Sequence, residues 1–193
     1  MAYVPKNYDY LKGGSLTGLS DSQIEQHITL YKGYVAKLNE IEEALVNTDI
    51  SKSNYSFNMY SELKRRESVP LNGALLHEIY FENMGSNSEI SQDLLKAMNA
   101  QGGKDKILAN LKATAMCGPG WSLLTYNYHD NKLHTYFIAE HHLNVPIDQK
   151  ILLALDSWEH AFMIDYGIRR GDYIDAFLEN IKWSEVSLRF SKK

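Results

Sequence analysis

Apolar residues recur at spacings of three and four early in the chain. Ile24, Ile28, Tyr31, Val35, Leu38, Ile41 and Leu45 form one stripe, which predicts a long helix with a single buried face. Ser20, followed three residues later by Gln23, is a capping-box pattern, so the helix should start there. Residues 47–56 are polar and turn-rich and read as a loop. A second helical stretch runs from about Ser56 to Met84, and Pro70 predicts a kink or a break inside it. Residues 83–89 are polar again, and Gly85 suits a helix end.

Beyond that point the period changes. Residues 91–99 and 104–115 read as two short helices, whereas 121–128 and 133–140 are aromatic and β-branched and read as strands joined by a turn at Asp130-Asn131. The short apolar run 151–155 predicts a buried strand. Helices are expected around 159–168 and 173–183, with Gly171 between them. The fold class expected is α+β. An N-terminal helical hairpin domain, residues 1–88, precedes a C-terminal α/β domain, residues 89–193, with a small antiparallel sheet flanked by helices.

Composition narrows the possible functions. The 193 residues are 44% hydrophobic and 23% charged, enough to bury a core and too apolar for a disordered chain. A net charge of -4 argues against nucleic acid as the main partner. The basic run Lys64-Arg65-Arg66 reads as a solvated helix face. With Cys117 as the sole cysteine, neither an intramolecular disulfide nor a cysteine-based zinc site can form, which fits a reducing compartment. The first residues lack the charged-then-apolar layout of a signal peptide, and no apolar run approaches a membrane span. A cytoplasmic protein without membrane contacts is expected.

Three histidines and one aspartate are the candidates for chemistry. Asp156 ends the apolar run, and His160 follows four residues later, a spacing that lets carboxylate and imidazole meet. By spacing alone the two are either a metal-binding pair or an ordinary i,i+4 ion pair. His77 shares a helix face with Tyr80, Phe81 and Met84, and His27 shares one with Ile24, Tyr31 and Tyr34. Either histidine taken singly is a ligand or a hydrogen-bonded core residue. A shared metal would give all three buried imidazoles a partner. His129 and His134 flank the hairpin turn and read as surface residues.

These residues also carry a family resemblance. Asp156-x-Trp158-Glu159-His160-Ala161-Phe162 resembles the D-x-W-E-H-A-Y signature of the iron/manganese superoxide dismutases. Tyr166, Arg170, Asp172, Tyr173, Asn180 and Trp183 continue it, similar to that family's Y…R-x-D-Y…N-x-x-W tail. His77-Glu78-Ile79-Tyr80-Phe81-Glu82-Asn83 resembles H-x-x-F-W-x-N, and Gly118-Pro119-Gly120-Trp121 resembles G-x-G-W. His27 with Tyr34, Val35, Leu38 and Asn39 resembles H…Y-V-x-x-L-N, so the likeness spans about residues 19 to 185.

The resemblance implies superoxide disproportionation at one iron or manganese ion; the histidine and carboxylate ligands suit both metals, and iron is the expectation. It assigns His27, His77, Asp156 and His160 as ligands, Tyr34 as the tyrosine at the substrate entrance, and Trp121 and Trp158 as the aromatic shell. It makes Glu159 the bridge to the partner's ligand histidine in a homodimer. With three neutral imidazoles and one carboxylate, taking up one proton with each electron keeps the buried charge constant. The alternatives are another mononuclear non-haem redox enzyme on this fold, or a metal-free structural homologue.

Some positions depart from the family pattern. His27 precedes Tyr34 by seven residues where the family has eight. Strict anchoring would select Gln26, but imidazole suits these metals better than an amide, and a one-residue helix adjustment would restore the aim. Leu30, Tyr31 and Met163 stand where a cross-subunit histidine–tyrosine pair is common. The usual glutamine donor to the metal's solvent is missing. His141, fifteen residues before Asp156, is expected to replace it, with His142 as the alternative.

Overall fold

The computed structural model describes residues 2–86 and 88–193. Asn87, inside the expected domain boundary, lies outside them. The architecture is α+β: helices α1 (Asp21–Val46) and α2 (Met59–Glu82) pack together as a hairpin, followed by α3 (Gln92–Asn99) and α4 (Lys104–Ala115). Strands β1 (Trp121–Asn127), β2 (Leu133–Ile138) and β3 (Gln149–Asp156) form an antiparallel sheet in the order β2-β1-β3. The chain ends in α5 (Met163–Tyr166), α6 (Arg170–Glu179) and α7 (Trp183–Ser191).

Helix α1 begins where the capping signal placed it, with Ser20 Oγ accepting from Gln23 N at 3.1 Å. The reciprocal half of the box is absent. Ser20 N donates to Asp165 instead, and the buried Gln23 side chain is used elsewhere. The stripe from Ile24 to Ile41 is buried, while Leu45 is partly exposed near the helix end. Helix α2 begins at Met59, three residues later than expected, because Asn58 caps it by accepting from Tyr60 N and Ser61 N. Pro70 does not end it: the helix continues to Glu82 with the proline buried on its inner face. The missing N–H costs one ladder bond, which packing against α1 offsets. Lys64 and Arg65 pair with Glu67 and Glu62 on the exposed side, as a solvated face would.

The register of the sheet positions the site. Trp121 lies opposite both Asp156 and Ile138, so the start of β1 faces the end of β3. Gly120, just before it, has φ +149°, and a Cβ there would fall 2.4 Å from the Ile138 carbonyl, so the close approach requires glycine. Asn83, fully buried at the end of α2, joins the helical half to the sheet. It accepts from Ala154 N and donates to Leu152 O.

The C-terminal segment differs from expectation. Residues 159–168 form a 3₁₀ turn, Glu159–Ala161, and then the short α5, which ends at Gly167 with φ +56°. Gly171 therefore lies inside α6, and α7 is a separate helix that the period did not reveal. Residues 8–19, which show no periodicity, still bury Tyr8, Leu11, Leu16 and Leu19 in the common core.

Candidate metal centre

His27, His77, Asp156 and His160 come from four different elements, yet their ligand atoms lie within 4.8 Å of one another. Helix periodicity aims the first two, β3 ends at the third, and the 3₁₀ turn presents the fourth. Asp156 Oδ2 is the shared point, 3.2 Å from His27 Nε2, 2.9 Å from His160 Nε2 and 3.5 Å from His77 Nε2. Its Oδ1 accepts from Trp158 N at 2.9 Å, and its backbone carbonyl accepts from the buried Tyr173 hydroxyl at 2.6 Å. Asp156 is therefore held at both its side chain and its backbone.

The tautomer of His77 shows what the cluster requires. Its Nδ1 lies 2.6 Å from the Gly73 carbonyl, which can only accept, so Nδ1 carries the proton. In the neutral ring Nε2 is then a bare lone pair, fully buried, without a hydrogen-bond partner, and aimed at a carboxylate oxygen. Two converging acceptors in a buried site suit a cation between them. Burial, reinforced by the neighbouring His27, holds His77 well below the ordinary histidine range, and burial likewise lowers His27 despite Asp156. For His160 burial pulls downward, but the adjacent Asp156 outweighs it and the net shift is upward. Burial would raise Asp156, but His160 and His27 prevail and hold it below the usual carboxylate range. Imidazole nitrogen with carboxylate oxygen suits iron or manganese.

A second layer covers this cluster. Trp121 Nε1 donates to His141 Nδ1 at 2.9 Å, so His141 carries its proton on Nε2, which lies 2.7 Å from Tyr34 Oη. Tyr34 accepts there, leaving its own O–H proton uncommitted. Its ring rests on Gly73, where a Cβ would come within 2.8 Å of it. Trp121 stands edge-on to His77, and Trp158 lies parallel to His160.

The comparisons with known proteins agree with this geometry. The model for the C-terminal domain of iron/manganese superoxide dismutases matches residues 89–189. The chain is 39% identical over 191 residues to "Superoxide dismutase [Fe]" of Aquifex pyrophilus, covering 95% of this chain and 90% of that one. It is 33% identical to "Superoxide dismutase [Fe]" of Cupriavidus metallidurans, over 91% and 90% of the two chains. It is 31% identical to "Superoxide dismutase [Mn] 1" of Halobacterium salinarum, over 86% and 83%. The chain belongs to the iron/manganese superoxide dismutase family.

Within that family frame, several candidate positions have distinct surroundings. Helix α1 is α-helical throughout, with no local adjustment at the shortened spacing. His27 faces the cluster and Gln26 is exposed. His141 has both ring nitrogens engaged within the protein, by Trp121 and Tyr34, and does not itself touch the four clustered residues' ligand atoms by a hydrogen bond. His142 takes no part in these contacts. His129 is exposed, and His134 pairs with Asp130 at the hairpin. Glu159 is turned away from its own His160 and pairs with Arg170 at 3.1 Å.

One contributor escaped the sequence reading. Gln23 Nε2 donates to the His160 carbonyl at 2.6 Å, and its Oε1 accepts from Ile164 N. Its amide thus clamps the turn that presents His160. The signal available was an amide four residues before His27, on a helix face otherwise apolar.

Proposed function

We propose that this chain is a superoxide dismutase in which His27, His77, Asp156 and His160 hold one redox metal ion. The buried, proton-free Nε2 of His77 converging with Asp156 and two further imidazoles is the observation that carries the reading. Iron or manganese bound there supplies one-electron chemistry between the +3 and +2 states, which zinc lacks. The reaction is 2 O2•− + 2 H+ → O2 + H2O2, so protons must reach the superoxide that is reduced.

Tyr34 is placed to deliver one of them. Burial, with help from the Asp156 and Glu140 charges, raises its hydroxyl above the ordinary tyrosine range, so the proton is present at neutral pH. The tautomer of His141, set by Trp121, makes Tyr34 Oη the acceptor of one hydrogen bond and frees its O–H to donate outward. The His141 Nε2–H behind it hydrogen-bonds the phenolate oxygen that remains once that proton leaves, and solvent resupplies the proton. Tyr34 is partly exposed, as a residue at the substrate entrance must be. The carboxylate and three neutral imidazoles fix the protein's own charge at −1, so uptake of one proton per electron avoids a net change in buried charge.

Finer assignments belong to the same proposal. Iron is preferred, since the relatives at 39% and 33% identity are named iron enzymes. The chain forms a homodimer in which Glu159 exchanges Arg170 for the partner's ligand histidine. A domain division at 88/89 is supported by the family model, whose match starts at residue 89. A cytoplasmic location fits the lone exposed thiol of Cys117, and no helix among the described residues is long and apolar enough to cross a membrane.

Stopped-flow decay of superoxide with iron-loaded and manganese-loaded protein tests the reading. Rapid turnover is expected in at least one form and is expected to be faster with iron. One ion per chain with no acceleration of superoxide decay would favour a different redox enzyme on this fold.

A further inference from the structure

His141 differs from the residues beneath it in what supports it. It stands near the start of an irregular connection, residues 139–148, between β2 and β3. Among the described residues, no backbone–backbone hydrogen bond outside the regular elements involves residues 140–147; the nearest runs from Tyr128 N to Asp148 O. Asn144 and Asp148 both have positive φ, 61° and 55°, so the connection also contains backbone that L-residues rarely adopt. Apolar packing holds it only partly. Leu143 and Ile147 are exposed, and a cleft of about 160 Å³, lined by Leu75, Leu76, Ile79, Val145 and Ile151, separates the loop from α2.

One polar contact crosses that gap. Asn72, on α2 and five residues before His77, donates from Nδ2 to the His141 carbonyl at 2.8 Å. A carbonyl can only accept, so the amide orientation follows from chemistry. The bond links the rigid helix that carries His77 to the backbone of the residue whose ring orders Tyr34.

We propose that Asn72 is a positioning residue for the dismutase reaction: it latches the 139–148 connection to α2 so that the His141 imidazole meets Tyr34 and Trp121. It touches neither substrate nor metal and acts only through His141. The inference rests on the dismutase reading for its kinetic consequence, but not for its structural one.

Two variants test it on metal-loaded full-length protein. Asn72→Asp keeps the shape, removes the donor and sets a carboxylate against the carbonyl; Asn72→Ala removes the group. Both should keep one ion per chain and lose about three- to tenfold in superoxide turnover, the range expected for one lost hydrogen bond at an ordered site. Because Asn72 acts through His141, adding Asn72→Ala to His141→Ala should change turnover by less than about 1.5-fold. Crystal structures supply the second readout. In Asn72→Asp the 2.7 Å contact from His141 to Tyr34 and the 2.9 Å contact from Trp121 should lengthen or be lost. An Asn72→Ala loss that persists undiminished in the His141→Ala background would overturn the proposal, as would unchanged contacts in Asn72→Asp. Should wild-type protein prove inactive toward superoxide, the dismutase reading fails, while the crystallographic arm still decides the latch.

Discussion

The inner cluster and the layer above it are built by different means. His27, His77 and Asp156 are fully buried or nearly so and sit on two long helices and at the end of a strand. His141 stands on an irregular connection, and hydrogen bonds to Trp121, Tyr34 and Asn72 orient it. The inner residues are aimed by backbone periodicity, the outer ones by side-chain contacts between elements far apart in sequence. The inner set should therefore decide whether a metal binds at all, and the outer set how fast protons move once it does.

The largest effect is expected from the inner cluster. His77→Ala removes a fully buried lone pair that faces Asp156 without a hydrogen-bond partner, and it should abolish stoichiometric metal and nearly all dismutase activity. Full metal content in that variant would mean the cluster is not the site. Asp156→Asn comes next. It keeps the shape but makes the protein's contribution to the site more positive by one charge, so the metal's potential should shift and turnover should fall by roughly 10- to 100-fold. Near-normal turnover in the metal-loaded variant would count against the charge-balance account.

The outer layer should respond more gently. His141→Ala should retain one ion per chain while losing about tenfold in turnover, and His142→Ala should do less. The reverse ranking would move the role to His142. Glu159→Ala should weaken self-association, measured by sedimentation at micromolar concentration. A fully active wild-type monomer would remove the bridge from the account.

The pH dependence of the metal-free protein is the smallest effect and comes from the inner cluster, with a like-signed contribution from His141, which burial also lowers. Burial lowers the folded-state pKa of His27 and His77. Below the ordinary histidine value the unfolded chain binds protons that these two residues refuse, so stability should fall as pH drops from about 6.5, by up to about 1.4 kcal/mol per pH unit for each. His160 is shifted upward, so its contribution is complete below that pH and is lost only as pH rises through its folded value. Asp156 is shifted downward and adds a further loss only below about pH 4. Urea titrations of the metal-free chain between pH 7 and pH 5 would read the slope, and His77→Phe should reduce it. A flat profile would contradict the burial argument.

The same contrast explains what could be read from the chain itself. The α1 stripe, the Ser20 cap and the three strands follow from local period and turn chemistry, and local rules suffice for them. His27 and His77 were visible as candidates because each breaks an apolar face at helical spacing. The N-terminal stretch with Tyr8 and Leu11, the clamp of Gln23 on His160 and the latch of Asn72 on His141 were not visible. Each depends on which distant element arrives opposite, and spacing carries no such information. Of the two outcomes Pro70 allows, a break does not occur: its local penalty is real, but packing of α2 against α1 carries the helix through it. Gly171 points to the wrong boundary, since Gly167 rather than Gly171 supplies the positive φ that ends α5.

The most direct test of the central claim is a titration of activity against metal. Metal-free chain would be loaded stepwise with iron, and in parallel with manganese. Bound ion would be counted by elemental analysis and superoxide decay followed at each step. The account predicts activity that rises linearly with occupancy and saturates at one ion per chain, and no such rise for His77→Ala. Dismutase activity in wild-type chain free of metal, or saturation only beyond one ion per chain, would contradict it.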